Sequence, residues 1–489
     1  MFYLGRVLNG YGREVGYGIE TDDAGTLARV LTAEEAAAVT AGLAAERDSR
    51  GIEARAAEAF GLGADNPRVR RAHVITPGLV DIHCHGGGGF AFPDNYADEE
   101  IATAIRTHQR GGTTAMFASL VSLADPLPQI EALVPFCERG ELAGIHLEGP
   151  YISREKCGAQ NPEVIRPVDE AELRSWLEAG RGWIKTMTVA PEAEGAQRAA
   201  ELLLEYGGKP SWGHSHGDGA ITRAEIARTL EVARRHGYVP LAACGEAGGG
   251  AVGQEAAQTV THLFNAMTAF THRAPGPIRE YIQAARRGFI SAEVIADGYH
   301  VHPDLVEDVV AYLDEPELGA AGGFGSSHGS GSSHGAGSSH GAGSSHGAGS
   351  LSGSAGAGAG VGAGQLGIPG AFFVTDSLAA AGMPPGKYTL GGLAVEVRDG
   401  ACYLEGTNTL AGGASVLADQ VALFAGRGKL TLPQLVRATV AGPVYAGGAW
   451  DAPGVTVEFT PGKPVNLVAW NEAMTPLAVV REGVEISHS

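Results

Sequence analysis

A regular alternation of apolar and amphipathic segments begins at residue 74, and it constrains the fold more than any other feature of the chain. The apolar runs end at or near His83/His85, Leu120, Glu148, Pro191, His214, His262, Asp297 and Asp376. Between them lie mostly amphipathic segments, such as 98–110, 125–139, 195–206, 221–236 and 303–313. Strand–helix units in this succession predict an α/β fold, a (β/α)8 barrel of the TIM type, whose active site lies at the carboxyl ends of the strands.

The first apolar run ends in His83-Cys84-His85 and is followed by four glycines. Residues i and i+2 of a strand point to the same face, so the two histidines converge while Cys84 faces away. Neutral imidazoles are suitable ligands for zinc and similar divalent metals. Taken alone, the pair is also compatible with packed histidines at a strand end, although the metal-ligand interpretation is favoured. Whether His83 and His85 bind a metal must therefore be decided from the residues at the other strand ends.

Three further runs end in residues that bind metals in many proteins, namely Glu148, His214 and His262. Each one alone has a structural interpretation, since a Glu before Gly-Pro can cap a helix and a strand-end His can be a hydrogen-bonding residue. Their common position at the carboxyl ends of one predicted barrel favours a metal centre. Asp376 ends the eighth run, where a carboxylate can take a proton from a water that a metal activates, so it is the candidate general base.

Length and composition indicate one large domain with a small satellite. The chain has 489 residues, and its hydrophobic content of 44% is typical of a folded protein. We expect an amino-terminal β segment with a helical extension at 1–73, the barrel at 74–385, and helices and strands at 386–489. Segment 33–60 resembles a solvated helix with Thr32 as its N-cap. The strands at the two ends of the chain are expected to pair in a small β-sandwich.

Residues 319–365 interrupt the alternation with a tract rich in Gly, Ser and Ala. Ser-Ser-His-Gly recurs within it, at His328, His334, His340 and His346. This composition cannot bury a core, which predicts a disordered surface loop between the seventh and eighth units. Metal binding by these four histidines is the alternative interpretation.

The net charge limits which partners are expected, and the cysteine pattern indicates the cellular compartment. The formal net charge of -20 argues against nucleic acid or an anionic membrane as a partner. The five cysteines form no paired pattern, and neither a signal-like amino terminus nor a membrane-length apolar run is found. We expect a cytoplasmic protein. An anionic substrate would need a local group of Arg, His and backbone N–H donors.

Several stretches together resemble the N-acetylglucosamine-6-phosphate deacetylases of the amidohydrolase superfamily. They are PGLVDIHCHGGGG, GIHLEGPYIS, THLFNAM, IADGYHVHP, VTDS and TLAGG, which span most of residues 76–470 apart from the Gly/Ser/His tract. The resemblance implies a barrel with a small β-sandwich, a homodimer, and hydrolysis of the acetamido group of a small amino-sugar phosphate to release acetate.

The resemblance also implies roles for individual residues. Glu148, His214 and His262 match the common metal ligands, His83 and His85 match a pair that some members use for a second metal, and Asp376 matches the catalytic Asp. One or two divalent ions are implied, zinc first, with iron, manganese or cobalt as alternatives. Arg273 matches an arginine that reaches the phosphate from the neighbouring subunit. The other expected substrate contacts are Ala159, Asn265, Ala266, His300, Leu410, Ala411 and Gly412.

The sequence departs from the family pattern most clearly at two positions near these motifs, and Ser377 in place of the usual Ala is a smaller change beside Asp376. Gln160 stands where the family usually has His, and His216 follows His214 closely enough to compete with it as a ligand. Related cyclic-amide hydrolases have a ligand lysine at the fourth strand end, where this chain has Thr188-Val-Ala-Pro-Glu192 instead. A deacetylase for the N-acetylgalactosamine 6-phosphate epimer and a non-catalytic sugar-phosphate-binding protein remain as alternatives.

Overall fold

The computed structural model describes residues 1–49, 69–238, 255–314 and 368–487, with the backbone alone for 42–49. Within these residues, parallel strands form one eight-stranded sheet in the order of the chain, which confirms the predicted barrel. The strands are Leu79–Asp81, Thr113–Leu120, Gly144–Glu148, Ile184–Val189, Lys209–Trp212, Thr259–Val260, Ser291–Ile295 and Ala371–Val374.

The first and eighth strands meet just beyond their carboxyl ends. The backbone N–H of Asp376 donates to the carbonyl of His83 at 2.9 Å, and the N–H of His85 donates to the carbonyl of Ser377 at 2.8 Å. The barrel therefore closes through the same residues that the sequence marks as candidate ligands and base.

Local sequence signals mark the beginning of two of the barrel helices. Acidic residues occupy the first turn of the helix that begins at Asp98, and Asp218 caps the helix that follows it with hydrogen bonds to the N–H groups of Ala220 and Ile221. The helices are Asp98–Arg110, Leu127–Glu138, Glu170–Ala179, Ala196–Glu205, Gly219–Arg235, Gly276–Arg286, Pro303–Leu313, Leu417–Arg427, Leu432–Thr439 and Ala441–Gly447, with short 3-10 turns at Arg154–Lys156 and Pro162–Val164.

Both ends of the described chain contribute to a second, seven-stranded sheet. Val69–Pro77 lies between the two groups of strands, parallel to Phe2–Leu8 and antiparallel to Leu467–Trp470. The chain ends thus share a sheet as predicted, but they pair through this strand. In spatial order the strands are Val484–Glu485, Pro476–Arg481, Leu467–Trp470, Val69–Pro77, Phe2–Leu8, Glu14–Thr21 and Leu27–Leu31.

A smaller antiparallel sheet packs beside the carboxyl end of the barrel. Buried Val395 and Cys402 of this sheet contact Val121 and Leu378, which follow the second and eighth barrel strands. Its strands are Lys387–Leu390, Leu393–Arg398, Ala401–Leu404 and Leu410–Gly412, and a short hairpin is formed by Gly86–Gly87 and Phe90–Ala91. This packing brings residues 410–412 close to the strand ends.

Thr32 caps a helix that runs from Ala33 to Ser49, as its sequence predicts. Residues 50–60 of the predicted helical segment, the 319–365 tract and Cys244 lie outside the described residues. The three-part division at residues 73 and 385 stays a prediction. Across the described ranges, no helix combines the length and the apolar character that crossing a membrane requires.

Candidate active site

Glu148, His214 and His262 meet at the carboxyl ends of the third, fifth and sixth barrel strands. One carboxylate oxygen, Oε1 of Glu148, lies 2.8 Å from Nε2 of His214 and 2.9 Å from Nε2 of His262. The two Nε2 atoms are 3.1 Å apart. All three side chains are buried.

His83 and His85 form a second cluster that shares Glu148. Their Nε2 atoms are 3.1 Å apart, and Nε2 of His85 lies 3.2 Å from the other carboxylate oxygen of Glu148. Oδ1 of Asp376 lies 3.4 Å from Nε2 of His83 and 3.3 Å from Nε2 of His85. The carboxylate of Glu148 therefore joins two histidine pairs, and Asp376 is beside one of them.

The opposite ring nitrogens explain why Nε2 atoms converge here. Nδ1 of His85 donates to the carbonyl of Ser119 at 3.1 Å, and Nδ1 of His214 donates to the carbonyl of Lys156 at 2.7 Å. A ring that donates from Nδ1 presents the lone pair of Nε2 when it is neutral. Within each histidine pair, His83 with His85 and His214 with His262, the Nε2 atoms are 3.1 Å apart. Two lone pairs that face each other at this distance repel unless a proton or a cation lies between them.

Electrostatics couples these groups strongly. Burial by itself lowers the pKa of His83, but the nearby carboxylates of Glu293, Asp376 and Glu148 raise that pKa to about 10. Burial by itself raises the pKa of Glu148, and contacts with His214, His262 and His85 hold it well below its usual range. The pKa of Asp376 is likewise lowered, because His83 and His85 outweigh the effect of burial. His83 and the carboxylates around it therefore favour each other's charged forms.

This donor set fits one or two divalent metal ions. Four imidazole nitrogens and a shared carboxylate form two groups of three side chains whose ligand atoms lie within 4.8 Å of one another. Imidazole with carboxylate suits zinc and other first-row metals. A bound cation would take the place of the imidazole protons and relieve the repulsion between the Nε2 lone pairs.

Backbone strain is concentrated at the same residues. His214, His262 and Asp376 have φ values of 46°, 25° and 49°, in the left-handed region that residues with a Cβ rarely adopt. Such conformations persist only where surrounding contacts hold them, and they are common at active sites. The strain supports a functional role for this end of the barrel.

A cavity of about 200 Å³ opens above the two clusters. Most of the side chains and backbone segments predicted to contact a substrate line it, and two do not. Arg273 is exposed and lies outside the lining. Gly412 is buried behind the wall, where a Cβ would lie 2.8 Å from the carbonyl oxygen of Asp376. The predicted residues that line the cavity are Ala159, Asn265, Ala266, His300, Leu410 and Ala411.

His300 is oriented over this cavity by Asp297. Nδ1 of His300 donates to Oδ2 of Asp297 at 2.7 Å. Burial alone lowers the pKa of His300, but the carboxylate of Asp297 outweighs burial and raises it. The raised pKa widens the pH range in which both ring nitrogens carry protons and Nε2 can donate to a bound molecule.

The two positions that depart from the family pattern have different surroundings. Oε1 of Gln160, in the cavity wall, accepts from the backbone N–H of Ser122 at 2.8 Å. The side chain of His216 is 46% exposed and bonds instead to Ser153 and Glu192. His214, and not His216, is the residue that contacts Glu148.

Two buried residues of the site were not identified from the sequence. Oε2 of Glu293, in the seventh barrel strand, accepts from Nδ1 of His83 at 2.9 Å. The ring of His146, in the third strand, packs edge-on against that of His83 with centroids 4.4 Å apart. The available signal was a charged or titratable residue within an apolar run, as in Ile-Ser-Ala-Glu293-Val-Ile.

Residues 74–319 match the model of the amidohydrolase family. This match covers half of the chain and includes the first seven barrel strands, so the chain belongs to the amidohydrolase family. The resemblance that the sequence motifs indicated is thereby confirmed.

Comparison with individual proteins gives the same relationship. The N-acetylglucosamine-6-phosphate deacetylase of Bacillus subtilis (strain 168) is 32% identical over 240 residues, which cover 47% of this chain and 52% of that protein. The N-acetylglucosamine-6-phosphate deacetylase of Danio rerio is 25% identical over 416 residues, covering 82% of this chain and 81% of that protein. The N-acetylgalactosamine-6-phosphate deacetylase of Escherichia coli O157:H7 is 29% identical over 243 residues, covering 48% and 55%. The chain thus spans about half the length of the first and third of these relatives.

A solved structure extends the similarity over the whole chain. The N-acetyl-D-glucosamine-6-phosphate deacetylase of Mycobacterium smegmatis has a TM-score of 0.69 and 25% identity to this chain, covering 100% of both. A mutant of that enzyme has been solved in complex with N-acetyl-D-glucosamine-6-phosphate.

Proposed function

We propose that this chain is a metal-dependent deacetylase that hydrolyses N-acetylglucosamine 6-phosphate to glucosamine 6-phosphate and acetate. One observation carries the proposal: two histidine pairs share the carboxylate of Glu148, and Asp376 lies beside them at the floor of a cavity. The names of the relatives support the substrate class.

Glu148, His214 and His262 are the proposed ligands of the principal ion, and His83 and His85 with Glu148 are those of a second. Zinc is the first candidate, and iron, manganese or cobalt are alternatives with the same ligand types. When bound, such an ion polarises an amide carbonyl and lowers the pKa of water.

Two side chains of the chain itself move or hold protons in the proposed reaction. Asp376 accepts a proton from the attacking water and later donates it to the departing amine. Ionised Asp376 suits this role, because His83 and His85 keep its pKa low. His300, with Nδ1 held by Asp297, donates from Nε2 to the carbonyl oxygen as negative charge develops there.

Phosphate recognition is assigned to Arg273 of a neighbouring subunit in a homodimer. Its exposure and its position outside the cavity of its own subunit support this assignment. A guanidinium group suits a phosphate because its donors form a planar fork. Arg273→Ala should raise KM strongly for the phosphorylated sugar and leave KM for the unphosphorylated sugar unchanged, and an equal rise for both would contradict the assignment.

The N-acetylgalactosamine 6-phosphate epimer is the second candidate substrate, which the similarity to the Escherichia coli O157:H7 protein supports. The decisive experiment is to purify the protein, measure its metal content, and follow acetate release from both epimers. A higher kcat/KM for the glucosamine compound is expected. A higher value for the galactosamine compound would favour the alternative, and release from neither would leave a sugar-phosphate-binding protein.

We also propose a cytoplasmic location. Cys84, Cys137, Cys157 and Cys402 are free thiols, and secreted compartments favour disulfides.

A further inference from the structure

Glu293 has a buried carboxylate. Within the described residues, each hydrogen bond of this carboxylate is with a residue of one of the two histidine clusters. Its Oε2 accepts from Nδ1 of His83 at 2.9 Å and from the backbone N–H of His262 at 3.1 Å. Its Oε1 is buried and has no hydrogen-bond partner in the part of the chain that the structure describes. One carboxylate oxygen thus contacts one residue from each cluster.

The two hydrogen bonds to Oε2 replace only part of the hydration that the Glu293 carboxylate loses on burial. Glu293 is 1% exposed, and among the described residues its charged partner is the imidazole of His83 rather than a lysine or an arginine. An ionised carboxylate in such surroundings costs folding free energy unless hydrogen bonds and charge compensate for burial. The compensation that this carboxylate has therefore comes from the candidate ligands themselves.

The contacts do explain the geometry of two candidate ligands. A carboxylate can only accept, so it selects the tautomer of His83 that carries its proton on Nδ1 and presents Nε2 to the cluster. The corresponding partners of His85 and His214 are neutral backbone carbonyls. The second contact holds the backbone of His262, whose φ of 25° needs external support.

We propose that Glu293 is a positioning residue that couples the two metal clusters, orienting His83 of one and His262 of the other. The proposal deepens the metal-dependent function proposed above and rests on it. It assigns Glu293 no contact with the substrate.

The test measures Zn²⁺ affinity without substrate, by competition with a chelator, in the wild type, Glu293→Gln and Glu293→Leu. Gln keeps an accepting oxygen but removes the charge, whereas Leu removes both. Outer partners of ligand histidines typically contribute ~10–100-fold in metal affinity. We expect a loss in that range for Gln and a larger loss for Leu, and urea unfolding of the metal-free proteins checks that each variant is folded.

Glu280→Gln is the matched control. Glu280 is a carboxylate of the same barrel, 2% exposed, that contacts Arg223 and Arg279 and no cluster residue. This variant should lose stability and keep wild-type Zn²⁺ affinity, which separates a general loss of stability from a loss of metal binding.

Wild-type Zn²⁺ affinity in both Glu293 variants would overturn the proposal. Failure of both variants to fold would also overturn it, because the carboxylate would then be a structural residue and not a positioning residue. The result is independent of the deacetylase assignment: a wild type that binds Zn²⁺ but releases no acetate would refute the substrate and leave the role of Glu293 intact.

Discussion

The two faces of the first barrel strand carry similar residues and have opposite characters. His83 and His85 face the barrel interior, where their Nε2 atoms approach Glu148 and Asp376. On the other face, Cys84 Sγ lies 3.2 Å from Nε2 of His108. Together with a carboxylate oxygen of Asp81, these atoms form a second group that is also close enough to hold a metal ion. Burial does not separate the two groups, since all five side chains are at most 1% exposed.

The difference lies in where the polar atoms point. Nε2 of His108 is 2.8 Å from the carbonyl of Gly86, and the Asp81 carboxylate accepts from Thr375 and the backbone of His83. Burial lowers the pKa of His108 and raises that of the Cys84 thiol well above its ordinary value, so both stay neutral. Proximity of ligand atoms is therefore insufficient to identify a metal site. Convergence on a cavity and the charged state of the group distinguish the functional face from the structural one.

The largest effect should come from replacing Asp376, the acid beside His83 and His85. Asp376→Asn removes the proton acceptor and should lower kcat by ~10²–10⁴-fold, the usual contribution of general acid–base catalysis. kcat/KM should fall with it, since the lost interaction belongs to the transition state. Steady-state acetate release measures both.

Asp81→Asn is the paired control in the group formed by Asp81, Cys84 and His108. Its amide can still accept from the backbone and can donate to the Thr375 hydroxyl, so kcat should remain close to wild type. A large fall in kcat for Asp81→Asn, or none for Asp376→Asn, would break the distinction between the two groups.

The second largest effect should be a difference in metal affinity between a histidine of the Glu148 clusters and the histidine that contacts Cys84. His214→Asn removes a ligand and should weaken Zn²⁺ binding by more than the ~10–100-fold that outer partners contribute. His108→Asn should change stability and leave Zn²⁺ binding unchanged. Equilibrium dialysis with metal analysis compares the two, and equal losses would show that the Cys84–His108 group also binds the ion.

The smallest effect should appear in the pH dependence of stability. Burial raises the pKa of Asp81 from 3.8 to about 6, although hydrogen bonds from Thr375 and His83 oppose it. The folded state therefore holds this proton more tightly than the unfolded chain. The resulting stabilisation is fully present below the ordinary pKa and is lost as pH rises through about 6, a change of at most about 3 kcal/mol.

Urea unfolding of the wild type and Asp81→Asn between pH 4 and 7 isolates this contribution. The stability of the wild type relative to the variant should fall as pH rises. A difference that stays constant over this range would indicate that Asp81 titrates normally in the folded protein.

Much of the fold could be predicted because strand and helix signals are local. The apolar run that ends at Glu148 and the amphipathic segment 98–110 each have the period of one element, and the barrel topology follows from their alternation. Active sites of such barrels lie at the carboxyl ends of the strands, and this rule predicted the end of the barrel at which His214, His262 and Asp376 lie. The intervening strand Val69–Pro77 in the second sheet was not predicted, because its pairing joins both ends of the chain.

By itself, then, the sequence determined the succession of elements and the end of the barrel that holds the chemistry, since both depend on the periodicity of neighbouring residues. Only the tertiary structure decided which side chains meet there. It turned His214 towards Glu148 and His216 towards Ser153, and it brought Glu293 to His83 from 210 residues away along the chain. These contacts depend on backbone angles and ring orientations that long-range packing imposes, and no local pattern of residues records them.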